Sequence, residues 1–274
     1  MGFERRSVII RKSIFLMWGC NPHTPLWELE GDNPRKKKKN NSELCTFFYE
    51  RFFMNATLST ITSALPLLGK GALMTLQLWI TAGLISLIIG SIWGIMRAKQ
   101  MRQQIISPLF DGISFLLRGI PFYVQLLIAY FVLPELLGGL NISPFIASTV
   151  SLGLCSAAYA SQIIKSGLDA IPLGEWEASY VLGYSRIQAL RYLMLPRALG
   201  FVMPALRGEF DQLLKSTSVI STLGILELTN AARNIVERDL QPLPIYAAVA
   251  IMYLLMSTAF NITVTRLLER KSYD

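Results

Sequence analysis

The chain has 274 residues, 52% of them hydrophobic and 16% charged, with a mean hydropathy of +0.43. Soluble domains carry about 25% charged residues, so this composition excludes an ordinary water-soluble domain. The net charge of +8 does not mark a nucleic-acid binder, because the basic residues sit at the ends of apolar runs or in one lysine tract, not along a face that could track phosphates.

Residues 1–53 differ from the rest. They hold ten of the 26 Lys and Arg residues, including Arg35–Lys39, together with Pro22, Pro25 and Pro34. The apolar run Ser7–Gly19 is interrupted by Arg11 and Lys12 and is too short to span a bilayer. Gly19-Cys20-Asn21 makes a weak processing site for a signal peptide. The segment reads as an N-terminal extension, largely disordered, with a surface helix near Cys45–Met54. Met54, at the start of the ordered pattern, is a candidate true start. Residues 54–274 read as one transmembrane domain.

Within it, an amphipathic stretch over Leu58–Leu68 leads to helix one, about Gly71–Met96, which carries no charge. Arg97, Lys99 and Arg102 follow. Helix two covers about Pro108–Leu133, with Arg118 placed toward its cytoplasmic side. The loop Pro134–Pro144 has no Lys or Arg. Helix three runs over about Pro144–Ile164 and ends at Lys165. A polar loop with Arg186, Arg191 and Arg197 precedes helix four, about Ala198–Leu223. A mixed loop, Glu227–Pro244, leads to helix five, about Ile245–Leu267. Stretches of this length and apolarity cross a bilayer. The loops after helices one, three and five are basic. The positive-inside rule therefore puts the polar loop and the C-terminus in the cytoplasm. The lysine tract then falls on the wrong side.

Chemistry is bounded by what the sequence lacks. It has no G-x-x-x-x-G-K-[ST] phosphate cradle. Its one histidine, His23, stands without partners for acid–base or metal work. Cys20, Cys45 and Cys155 form no CxxC and are odd in number, so no disulfide framework or zinc site is expected. Cys155 is a small packing residue.

The polar loop is the most informative segment. Pro172 suits a helix start. Glu175 and Glu177 place negative charge in the first turn, and Trp176, Tyr180 and Val181 give an apolar flank. Gly183 permits a sharp reversal. Ser185 can cap a second short helix, which Leu195-Pro196 stops before helix four. Such a pair is either a knob for another protein or an amphipathic re-entry between spans. In helix four, Arg207, Asp211 and Lys215 recur every four residues, share a face and can pair; they line a path or brace the helix. Gly90 and Gly94 form a GxxxG that allows close helix approach. Pro121 and Pro144 read as kinks or helix starts.

Glu177-Ala178-Ser179, then Gly183, Leu193 and Leu195-Pro196 at spacings of three, nine and one, resembles the coupling-loop motif of bacterial ABC importer permeases. Ser179 and Leu193 depart from it. Arg118-Gly119-Ile120-Pro121 with Val124-Gln125-Leu126, Ala158-Tyr159-Ala160-Ser161-Gln162-Ile163, Ile171-Pro172-Leu173-Gly174-Glu175-Trp176-Glu177-Ala178 and Leu213-Leu214-Lys215-Ser216-Thr217-Ser218 resemble further stretches of the polar amino acid permeases. Ile120, Gln162 and Ser216 replace the usual Thr, Glu and Asp. The resemblance covers about residues 65–270.

It implies an all-α type I importer permease with five core transmembrane helices in the bacterial inner membrane. The implied partners are a separate ATPase, an extracytoplasmic binding protein and a second permease copy. ATP and magnesium would sit on the ATPase, and this chain would hold no cofactor and catalyse nothing. Glu175, Trp176, Glu177, Ala178, Gly183, Leu195 and Pro196 would couple to the ATPase. Gln125, Gln162 and Lys215 are the expected substrate-path residues, with Gln162 favouring a neutral polar amino acid over a cationic one. A secondary transporter would need mid-membrane ion-coupling groups and often a doubled repeat. A membrane scaffold would need neither the loop motif nor the intramembrane charges.

Overall fold

The computed structural model describes the backbone of residues 34–101 and 105–271, and side chains over 60–101 and 105–266. The expectations for residues 1–33, and for side chains before Thr60, lie outside the described residues. The chain divides into two units, residues 1–62 and 63–274. In the first, the described backbone is helical. The second holds the elements described below from Ser63 onward.

The described elements are helical throughout. Helix α1 covers Pro34–Arg97. It begins well before the expected Gly71, with Pro66 inside it. Helix α5 covers Pro144–Asp169 and helix α10 covers Pro242–Lys271. Thr60–Arg97, Pro144–Asp169 and Pro242–Arg266 are each long and apolar enough to cross a membrane. Their buried shares are 28%, 67% and 11%. The span of α5 is therefore interior, and that of α10 is largely open to its surroundings. Small residues make the interior position possible. A Cβ on Gly90 would stand 2.8 Å from the Ala160 Cβ, and one on Gly94 2.8 Å from the Ile164 Cβ and the Ser161 carbonyl. The GxxxG pair thus lets α1 lie directly against α5. Ser143 caps α5 by accepting from the Ile146 N–H, with Pro144 in its first turn.

The expected helix two is not one helix. Helix α2 covers Ile106–Gly119 and helix α3 covers Phe122–Leu127, continuing through a π-turn, Ile128–Val132, into α4, Leu133–Leu136. The two halves are bent by 104° and together form a fourth candidate span. Pro121 explains the break. It has no N–H, and it drives the preceding residue out of the helical region; Ile120 is extended, with φ −95° and ψ 131°. Arg118 stands in the last turn of α2, at this break.

Helices α6 (Leu173–Val181) and α7 (Arg186–Ala189) form the polar loop. Helix α8 covers Leu195–Ser216 and tightens into a 3₁₀ segment, Thr217–Leu223. It is long enough to span, but its charges keep it outside the apolar set. The expected loop Glu227–Pro244 contains a helix, α9, over Leu228–Asp239. Glu227 caps it, accepting from Thr229 and Asn230 N–H groups at 2.8 and 2.7 Å. Leu228, Ala231, Ala232 and Ile235 are buried beside Leu68 and Ile245, a helical i, i+3, i+4, i+7 face. Burial pushes the Glu227 carboxyl above its ordinary value, against hydrogen bonds from Thr229, Asn230 and Tyr253 that pull it down.

Candidate functional site

Pro172 is the N-cap of α6, and Glu175 lies in its first turn, paired with Arg197 at 2.7 Å. Glu177, expected in the first turn, falls in the second and is exposed. Ala178 is exposed beside it. Trp176 points the other way. It is 1% exposed and packs with Ala98, Ile171, Ala189, Leu190, Met194 and Ala198. Of the expected apolar flank, Tyr180 and Val181 are outside, at 40% and 88% exposure, followed by Leu182 at 74%. The loop therefore has an inner root at Trp176 and an outer tip at Glu177–Gly183. Truncating a buried Trp to Ala costs about 3–5 kcal/mol, so the root fixes where the tip stands.

The reversal is at Gly183, with φ +87°. The N–H groups of Gly183 and Tyr184 donate to the carbonyls of Tyr180 and Ser179 at 3.0 and 3.1 Å, satisfying carbonyls that a helix end leaves over. Ser185 then opens α7 with a capping box. Its Oγ accepts from the Gln188 N–H, and the Gln188 Oε1 accepts from the Ser185 N–H. Leu195-Pro196, expected to stop the second short helix before helix four, does not stop it. α7 widens into a π-turn, Leu190–Met194, and runs on into α8. The wider turn accommodates the hydrogen bond that Pro196 cannot donate. The loop's second arm and α8 are thus one continuous helical path.

Helices α1, α2 and α5 meet at Arg97, which in the sequence stands only as a basic flank. Arg97 is 3% exposed. Its Nε donates to Asp111 Oδ1 at 2.7 Å, its Nη1 to Ser114 and Ser161 hydroxyls at 3.0 and 2.7 Å, and its Nη2 to Gln162 Oε1 at 3.1 Å. One guanidinium therefore ties α1 to α2 and α5. Two residues on, the Lys99 N–H donates to Asp169 Oδ1 at 2.8 Å, and Lys165 pairs with the same carboxylate at 2.6 Å. Asp169 ends the helix from which the loop departs. The root of the loop and the segment after α1 are thus joined by apolar packing through Ala98 and by the hydrogen bond from the Lys99 N–H to Asp169.

The three expected path residues are not gathered in one place. Gln162 is engaged with Arg97. Gln125 serves the helix break: its Nε2 donates to the carbonyls of Leu117 and Ile120, both at 2.7 Å, groups that Pro121 leaves over. Lys215 is 53% exposed and pairs with Asp211 at 2.6 Å. Asp211 also accepts from Ser257 and Asn261 of α10. Arg207 reaches across to Thr265 Oγ1 at 2.7 Å, not along its own helix to Asp211. Glu209 accepts from Ser156 Oγ at 2.7 Å, and that hydroxyl accepts from Ser86 at 2.9 Å. The polar groups of α8 thus bind it to α5 on one side and α10 on the other.

Residues 86–273 match the family described as "Binding-protein-dependent transport system inner membrane component". The chain is similar to the glutamine transport system permease protein GlnP of Escherichia coli (strain K12), 33% identical over 212 residues, 77% of this chain and 96% of that protein. The glutamate/aspartate import permease protein GltJ of the same organism is 30% identical over 221 residues, covering 77% and 89%. Among solved structures, an amino acid ABC transporter crystallised with histidines is similar at a TM-score of 0.70 and 31% identity, over 78% of this chain and 97% of that one.

Proposed function

This chain belongs to the binding-protein-dependent transport system inner membrane components, and we propose that it is driven through the α6–α7 loop by an ATPase subunit bound at the tip. The chain is the integral, multi-pass permease component of an inner-membrane ABC importer for polar amino acids. It is not itself an enzyme, and its ATPase is a separate chain. The observation that carries the coupling reading is the split character of the loop: Trp176 is sunk in the core while Glu177, Ala178, Val181 and Leu182 stand exposed on the same helix.

In this reading the loop and the C-terminus face the cytoplasm, which suits the basic residues after helices α1 and α5 and in the last turns of α10. A binding protein delivers the amino acid from the other side, and a second permease copy completes the path. α8 is the fifth span, its charges sheltered by α5 and α10. Closure of the ATPase pair moves the tips. Because α7 runs unbroken into α8, and Trp176 and Asp169 fix the loop to α1 and α5, the movement reaches the spans as a rigid-body rotation. Glu175, Gly183, Leu195 and Pro196 shape the loop, and Glu177 and Ala178 face the ATPase. Lys215, the most exposed of the path candidates, faces the substrate route.

Glu177→Lys tests the contact. A reversed charge in a partly desolvated interface weakens binding, so ATPase retained on the purified permease should fall by about tenfold or more. Retention unchanged across salt concentrations would remove Glu177 from the interface.

Gln162→Glu tests the path. A glutamate would meet the guanidinium of Arg97 and form a second charge-assisted bond there. The ratio of glutamine to arginine uptake should therefore stay as in the parent. A ratio that moves toward arginine would place Gln162 on the substrate route instead.

Residues 1–53 lie outside the proposed permease domain. A chain beginning at Met54 should reach the membrane and support uptake. Normal membrane levels without uptake would give the extension a part in transport.

A further inference from the structure

α10 carries a stripe that ends in a charge. Ile251, Leu255 and Ile262 are 57%, 62% and 46% exposed, and Arg266 is exposed as well. Their spacings of four, seven and four put them on one face of the helix. At the charged end of the stripe, α10 and α8 form a shallow pocket lined by Arg207, Asn261, Ile262, Thr265 and Arg266. Among the described residues this lining holds two guanidiniums and no carboxylate. Asp211, one turn along α8 from Arg207, is already taken by Lys215, Ser257 and Asn261.

Two like charges sharing a pocket at the edge of a span are costly unless an anion neutralises them. Arg266 is the first charged residue of α10, after the uncharged run Pro242–Thr265. In the orientation proposed above, on which this inference rests, that is the level of the inner-leaflet headgroups. Guanidiniums offer forked donors that match phosphate, Asn261 and Thr265 add polar lining, and Ile262, Leu255 and Ile251 lead from the pocket along the apolar face. We propose that this pocket binds the phosphate of an anionic phospholipid, with an acyl chain laid along the stripe. Basic pockets between spans on the cytoplasmic side are suited to such headgroups.

The test uses the permease–ATPase complex in phosphatidylcholine nanodiscs containing spin-labelled phosphatidylglycerol or spin-labelled phosphatidylcholine. The fraction of immobilised label gives the relative affinity of the two lipids. The parent protein should prefer phosphatidylglycerol. Arg207→Gln with Arg266→Gln should reduce that preference by roughly fivefold for each arginine removed. Arg238→Gln, at an exposed arginine of α9, should leave it unchanged. Equal affinities in the parent protein would overturn the proposal, whether or not the double variant folds. So would displacement of the label by inorganic phosphate, which would make the pocket a site for free anions. The lipid signal needs neither ATP nor uptake, so a transport failure in the same discs bears on the functional reading alone.

Discussion

Gly183→Val should leave the subunit in the membrane and abolish productive coupling. Gly183 has φ +87°, and a Cβ there would meet nothing within 4 Å. Space is therefore not the obstacle. The obstacle is the backbone itself: a β-branched residue in this left-handed region is a steric outlier, and holding one there costs about 1–3 kcal/mol. The cheaper outcome is for the turn to change. The hydrogen bonds from Gly183 and Tyr184 to Tyr180 and Ser179 would be lost, and the tip carrying Glu177 and Val181 would be re-aimed. The root would remain, because Trp176 packs on the other side of α6. Uptake should fall roughly tenfold to a hundredfold on that strain, while ATP hydrolysis no longer responds to substrate. Gly183→Asn separates this account from a general packing defect. Asn tolerates the left-handed region, so it should recover much of the uptake. Normal uptake by the valine variant would remove the loop from the coupling path.

The shape of the α6–α7 loop was legible because its determinants are local. A positive-φ glycine, a Ser185–Gln188 capping box and a helix opened after Pro172 are all written within a few residues of where they act. The same holds for Gly90 and Gly94, whose spacing alone announces a close approach. Other features were hidden by the scale of the reading. A hydropathy window averages over the break, so α2 and α3 looked like one span, although Pro121, read as a kink or helix start, is where a missing N–H divides them. The acidic and basic residues of 227–239 made the segment look like a loop, yet Leu228, Ala231, Ala232 and Ile235 already carried the helical period. Trp176 was grouped with the surface residues because the motif names it, whereas its position three residues before Ser179 puts both on the buried face of α6. Arg97 was beyond reach for a different reason. Its partners lie 14 to 65 residues away, and no local pattern says that a flanking arginine will turn inward.

That inward turn leads to the second large effect: Arg97→Gln should destabilise the folded subunit. The guanidinium is buried, and it is the only group in the cluster that bridges α1 to both α2 and α5 through charge-assisted bonds. Removing one partner of a buried pair costs about 3–5 kcal/mol. Asp111 is 34% exposed, so water can take over part of its solvation, and the loss should fall toward the lower end of that range. Arg97→Lys keeps the charge but not the fork. It can serve Asp111, yet it cannot also reach Ser114, Ser161 and Gln162 in the same plane, so an intermediate loss is expected. The decisive measurement is a double-mutant cycle on thermal unfolding of the detergent-solubilised complex. If the Arg97–Asp111 pair is the main loss, Asp111→Asn should hurt the parent protein more than it hurts the Arg97→Gln variant, with a coupling energy of about 0.5–3 kcal/mol. Strictly additive losses would mean that the two side chains stabilise the subunit independently, and that the serines and Gln162, not the ion pair, hold Arg97 in place.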